Sequence, residues 1–296
     1  MVNAMRRPFF MSSISSILLI LAACSAPVEK AKPALWAVRD DDTTLYILGT
    51  VHQLPANIDW DDGPVDRAIA ASDTLYLELS PDAAGDAPTV FAALATSADP
   101  RALSARVSPD LIPRLRDIGD DGAFALDQAA DYDDWALTVL IGRAQAERAG
   151  LSPAFGVETI LTTRFQQAGK AVRGFETAAE QLMLFERLPA DAQRAMLEDA
   201  VRGWDTGPAK VRNMVDAWKS GNIIAMEADM TNDLRAVDGL SDALITRRNR
   251  RWATWAGRRM DSPGTVMIAV GAGHLVGDQS VLAMLRAKGL MVARLQ

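Results

Sequence analysis

The sequence predicts an α/β (α+β) domain: a central mixed sheet built from N- and C-terminal segments, with a large helical insertion between them. Three observations carry that expectation. Short β-rich apolar runs lie towards both ends of the chain, and segments with a 3.6-residue apolar period fill the middle. The 296 residues are 49% apolar and 23% charged, the balance of a chain that folds around a core. At this length the core needs no staples.

In chain order, the first element is an address. Arg6 and Arg7 precede an apolar stretch over 9–23, whose h-region, 14–21, falls far short of the ~20 residues that span a bilayer. A basic start, a short apolar run and small residues at its end read as a secretory signal. The closing Leu21-Ala22-Ala23-Cys24 resembles the bacterial lipobox, in which the cysteine is lipidated and becomes the first mature residue. The expected layout is a signal over 1–23, a tether over 24–34 and a domain over 35–296. The mature chain is then expected on the bacterial cell envelope, anchored to a membrane through acyl chains on Cys24 and facing the periplasm.

Strands are expected at 44–48, 74–79, 171–175, 265–270 and 291–295, where Val, Ile, Leu, Tyr and Thr cluster over strand length. Helices are expected at 133–149, 153–168, 177–188, 191–204, 240–260 and 279–288. The helical insertion thus covers about 82–260, and it is expected to lie over the site and govern access. Within it, 81–100 is rich in Ala, Asp, Gly and Pro and reads as a mobile loop. Trp204, Trp218, Trp252 and Trp255 fall on helical segments and are expected in the core.

Charge excludes one class of partner. Thirty-one Lys and Arg against 38 Asp and Glu leave −7, and nucleic acid requires a basic footprint. The basic cluster Arg247-Arg248-Asn249-Arg250-Arg251 is expected to pair with acids or reach the site. The single cysteine excludes an internal disulfide and a thiolate metal cluster. No GxSxG, Walker A, HExxH or strand-following GxGxxG pattern is present.

The two histidines share one setting. His52 closes Leu45-Tyr-Ile-Leu-Gly-Thr-Val-His52, and His274 closes Val266-Met-Ile-Ala-Val-Gly-Ala-Gly-His274. Each follows an apolar strand-like run and stands three residues after a glycine, Gly49 or Gly271. That places both just beyond strand C-termini, where open α/β sheets build their sites. Carboxylates occupy comparable places. Glu78 interrupts Leu75-Tyr-Leu-Glu-Leu79, so it must be paired or bound to metal. Glu176 ends a strand, and Glu158 follows Gly156-Val at a helix start. Two neutral imidazoles with one or two carboxylates are a ligand set for a divalent ion such as zinc or manganese. Such an ion acidifies bound water and polarises a carbonyl.

These residues resemble the TraB/GumN family, related to the animal Tiki metalloproteases. Trp36-Ala-Val, the run to His52 and Leu75-Tyr-Leu-Glu78 resemble its opening block. Gly156-Val-Glu158, Gly169-Lys-Ala-Val and Phe175-Glu-Thr with Gln181 resemble its middle. Arg248-Asn249 with Trp252 resembles its RNxxW helix, and Gly271-Ala-Gly-His-Leu-Val-Gly277 its closing block. One departure is local: Gly277-Asp-Gln stands where the family commonly has Gly-Pro-Asp-Gly. Tiki proteins are described as metal-dependent proteases that trim a signalling protein, and other relatives are linked to inactivating peptide pheromones. The resemblance therefore implies a metal-dependent hydrolase, a peptidase first of all, with His52 and His274 at the metal.

The expected site follows. His52, His274 and Glu78 hold a divalent ion (Mn, Co or Zn). Glu158 or Glu176 is a further ligand or general base, and Arg248 stabilises an oxyanion. The substrate is a peptide or protein. A second class stands beside it: a non-catalytic accessory lipoprotein that binds an exopolysaccharide or a secretion partner on the same fold.

Overall fold

The computed structural model describes residues 27–228 and 239–296. The signal segment and Cys24 lie outside the described residues. Six strands form one mixed sheet. In chain order they are β2 (Leu35–Arg39), β3 (Thr43–Thr50), β5 (Thr74–Leu79), β6 (Ala171–Glu176), β7 (Gly264–Gly271) and β8 (Val292–Arg294). The spatial order is β6-β5-β7-β3-β2-β8. The first four are mutually parallel; β2 runs antiparallel to both β3 and β8. Distant ends of the chain therefore meet at the centre, where β3 pairs with β7 from Thr43↔Gly264 to Thr50↔Gly271.

Both faces of the sheet are covered, which is why its strands read as continuous apolar runs. Leu48, Leu75, Leu77, Met267 and Ala269 point to one side. They pack with α1 (Gly63–Ala71), α5 (Val157–Gln167) and Trp218. Leu45, Ile47, Val266, Ile268 and Val270 point to the other, against Trp252, Ala253 and Ala256 and against Val281, Leu282 and Leu285. A separate helical core lies in the middle of the chain, where Leu115, Leu137, Ile141, Leu197, Val201 and Trp204 are buried together. It contains α3 (Ile112–Asp120), α4 (Asp134–Arg148) and α7 (Ala190–Arg202). The remaining helices are α2 (Pro81–Leu94), α6 (Ala178–Glu186), α8 (Gly207–Lys219), α9 (Arg247–Arg259) and α10 (Val281–Ala287). Trp204, Trp218 and Trp252 are buried and Trp255 is partly buried.

The structure corrects two expectations. The stretch read as a mobile loop is mostly helix: Ser80 caps α2 by accepting the Ala83 N–H (3.2 Å), and Pro81 occupies its first turn. A proline there loses no helical hydrogen bond, so the Pro- and Gly-rich composition misled. The segment read as a tether is docked from Glu29 onward. There β1 (Glu29–Lys30) pairs with β4 (Ile58–Asp59), Lys30 bridges Asp59 and Asp62, and Ala31 is buried. The strand expected at 171–175 within the middle block is β6, and it forms one edge of the sheet.

Candidate active site

The four parallel strands end on one side, and each ends on chemistry. Glu78 is the penultimate residue of β5, Glu176 the last of β6, and the two histidines follow β3 and β7. The glycines of the paired motifs stand at close contacts rather than at left-handed turns. A Cβ at Gly49 would lie 3.1 Å from the Ala272 Cβ, and one at Gly271 would lie 3.1 Å from Glu78 Oε1. The first motif therefore packs on the second, and the second packs on the carboxylate.

Arg248 occupies the centre. It projects from α9 into a buried space, and each of its three nitrogens is engaged. Nε donates to both oxygens of Glu176 at 3.0 Å. Nη1 donates to the Leu244 carbonyl (3.0 Å) and to His274 Nε2 (2.9 Å). Nη2 reaches Glu176 Oε2 at 2.9 Å and also bonds Glu78 Oε2. Arg251 adds a second cation to Glu176 at 2.6 Å, and Gln181 donates to Glu78 Oε2 at 2.8 Å. The Gly271 N–H donates to Glu78 Oε1 at 2.8 Å. Buried carboxylates are tolerated only with such pairing.

One chain of bonds fixes the His274 tautomer. Asn249 Nδ2 donates to the Gln279 carbonyl (2.7 Å), so its Oδ1 is the acceptor facing His274 Nδ1 (2.6 Å). Nδ1 therefore carries the proton and Nε2 the lone pair, which accepts from Arg248. Burial, reinforced by the charge on Arg248, lowers the His274 pKa to about 4, although Glu78 pulls the other way. Burial opposes ionisation of Glu78 too. There the charge that His274 gains only below about pH 4, with Arg248, His52 and the Gly271 N–H, prevails and holds it at about 2.

A second, more open cluster stands beside this one. Glu158, in the first turn of α5, accepts from the Thr50 hydroxyl at 2.5 Å and from His52 Nδ1 at 2.7 Å. Gly156 sets this pairing, since a Cβ there would lie 2.1 Å from the His52 carbonyl oxygen. The Val157 N–H adds a bond to the Val51 carbonyl. The charge on Glu158, then its hydrogen bond, raises His52 to about 9. Burial acts against the Glu158 anion, but His52 and Thr50 hold its carboxyl below the usual range. The His52 side chain is 70% exposed, so solvent screens this pair far more than the inner one.

The expected residues thus divide into two groups. Glu78, Glu176, Arg248 and His274 form the inner cluster, and His52 with Glu158 forms the outer one. Asn249 and Gln181 belong to the inner cluster and Thr50 to the outer; all three lie in the motif blocks of the resemblance, but residue type alone gave them no role. Both imidazoles are held through Nδ1 by an acceptor, the arrangement that presents Nε2 to a metal. The rest does not fit a bound divalent ion. Among the described residues no three His, Cys, Asp or Glu side chains converge on one. A guanidinium already takes the His274 lone pair, and both Glu176 oxygens are engaged by arginines. Arg248, for its part, is engaged at all three nitrogens by groups of the cluster itself.

Comparison with known proteins agrees with the paired motifs. The sequence model of the TraB/PrgY/gumN family matches residues 34–294. "Uncharacterized protein YbaP" of Escherichia coli (strain K12) is 28% identical over 208 residues, covering 68% of this chain and 77% of its own. The protein of the same name from Shigella flexneri matches equally. No solved structure gives a significant match.

Proposed function

The chain belongs to the TraB/PrgY/gumN family, and from that premise we propose that it is a cell-envelope hydrolase that cleaves an amide or ester bond of a peptide or protein substrate. The observation that carries this reading is the His52–Glu158 pair, open to solvent at the C-terminal edge of the sheet, directly beside a buried, charge-paired cluster. Glu158 orients the His52 ring through Nδ1, which leaves Nε2 to exchange a proton with the reacting group or its leaving atom. Arg248, Asn249 and Gln181 act as positioning residues that hold His274 and Glu78 at the edge of the same site. A lipid anchor at Cys24 would keep this chemistry at a membrane; among the described residues no helix is long and apolar enough to cross one.

The divalent ion (Mn, Co or Zn) implied by the resemblance is where family and side chains part, and no step here is routed through it. The deciding experiment is elemental analysis of the purified mature protein beside His52→Ala and His274→Ala, together with digestion of a mixed peptide library with and without chelator. Chelator-resistant cleavage that His52→Ala abolishes supports the reading. Stoichiometric metal that both variants lose would overturn its metal-free form and require Arg248 to leave His274. No cleavage under any condition would overturn hydrolysis and favour a binding role for the accessory lipoprotein.

A further inference from the structure

A cavity of about 320 Å³ opens beside the outer cluster. His52 and the backbone of Gly271 to Gly273 border it, and Val51, Leu151, Val211, Met214 and Met226 supply apolar walls. Its volume lies at the small end of ligand clefts, which run from about 300 to 1,000 Å³. Two features separate it from an accidental gap. Met214 is 39% exposed although it is a large apolar residue, and methionine walls adapt to varied guests. Gln53, immediately after His52, also lines the cavity, and its side-chain oxygen is buried without any donor. A buried acceptor left unpaired is a standing cost, removed when a ligand brings an N–H.

We propose that this cavity is the specificity pocket of the site: it takes one large aliphatic or thioether side chain of a peptide, while Gln53 accepts a backbone N–H of that peptide. This rests on the hydrolase reading and deepens it by naming the substrate class, peptides with a leucine- or methionine-like residue at the cleaved bond. Apart from His52 at its edge, the walls carry no charged side chain to hold an acidic or basic guest within them. The neighbouring His52 places the bound residue's backbone beside the proton-transferring group.

The test separates the pocket from the hydrolysis. Protein labelled with ¹³C at its methionine methyls is titrated with the N-acetyl methylamides of leucine, alanine and aspartate. Met214→Leu and Met226→Leu assign the two resonances. The leucine compound should shift both and bind roughly 50-fold tighter than the alanine compound, since each buried CH₂ is worth about fourfold. The aspartate compound should not bind. Met214→Trp, a change at the exposed rim, should abolish the response with the fold intact. Gln53→Met should weaken the leucine compound about three- to tenfold while raising the melting temperature, because it deletes both the ligand bond and the orphaned acceptor. Shifts confined to other methionines, or equal binding of all three compounds, would overturn the pocket even if library peptides are cleaved. Selective leucine binding without any cleavage would leave the pocket standing and remove the hydrolase.

Discussion

Replacing Arg248 by methionine removes a charge that two buried carboxylates depend on. The side chains of Arg248, Glu78 and Glu176 are 6%, 8% and 2% exposed, so water cannot replace what is lost. Breaking a buried pair from one side typically costs 3–5 kcal/mol, because the remaining charge is stranded. In a domain of this size about 1 kcal/mol moves the melting temperature by about 2–4 °C. Arg248→Met should therefore melt roughly 6–20 °C below wild type by calorimetry. The sign with pH is a second signature. Stripped of the guanidinium, Glu78 has burial pushing its carboxyl up, so the folded state binds a proton that the unfolded chain has released. The stability of Arg248→Met should consequently recover towards acid, and its deficit should widen from pH 5 to pH 8. Arg248→Lys keeps the charge with three donors in place of five and should fall between the two. A variant melting within about 2 °C of wild type, or a deficit independent of pH, would refute the view that the arginine is what permits these carboxylates to be buried.

Three further outcomes are expected. Gly156→Ala places a methyl 2.1 Å from the His52 carbonyl and should separate His52 from Glu158, read as loss of the downfield Nδ1 proton in NMR, with little change in the inner cluster. Chelator-treated protein should show opposite histidine effects. His274, held down at about 4, should lower stability as pH falls from 6.5 towards 4, and His274→Asn should flatten that limb. His52, raised to about 9, contributes stability below pH 6.5 that is lost as pH rises through 9, and His52→Gln should flatten the alkaline limb. Arg106→Met removes the buried partner of Asp134 (2.8 Å) and leaves it only the partly exposed Arg101 at 3.2 Å; it should cost about 3 kcal/mol in urea unfolding, the low end for breaking a buried pair, without moving the His274 resonances.

The parts of the fold that were legible in the sequence are those whose environment is symmetric. Strands β3, β5 and β7 are covered on both faces, so their middles are apolar and a carboxylate such as Glu78 stands out at once. Strand β2 was missed because it is short and starts directly after the segment read as a tether. Helix α2 was missed because Pro81, Gly85 and Pro88 are read as breakers by composition, whereas a capped start tolerates the first of them. Helices α1, α3 and α8 each open on a proline within a polar stretch, which hid their amphipathic faces.

The site was legible wherever chemistry sits at a strand end, and not where it depends on reach. His52, His274, Glu78 and Glu176 are marked by position, but what each touches is set by side chains far away in sequence. Gln181 meets Glu78 across 103 positions, and Arg248 meets it across 170. A guanidinium engaged at all three nitrogens looks the same in sequence as one free to bind an oxyanion, since only the geometry of its acceptors distinguishes them. The ligand set expected from residue types alone therefore treated Arg248 as an addition to a metal site, whereas the folded chain uses it as the cation that the carboxylates and His274 share. Gln53 is the extreme case. Its functional signal is the lack of a donor at one buried oxygen, a property that arises only once the chain has folded around it.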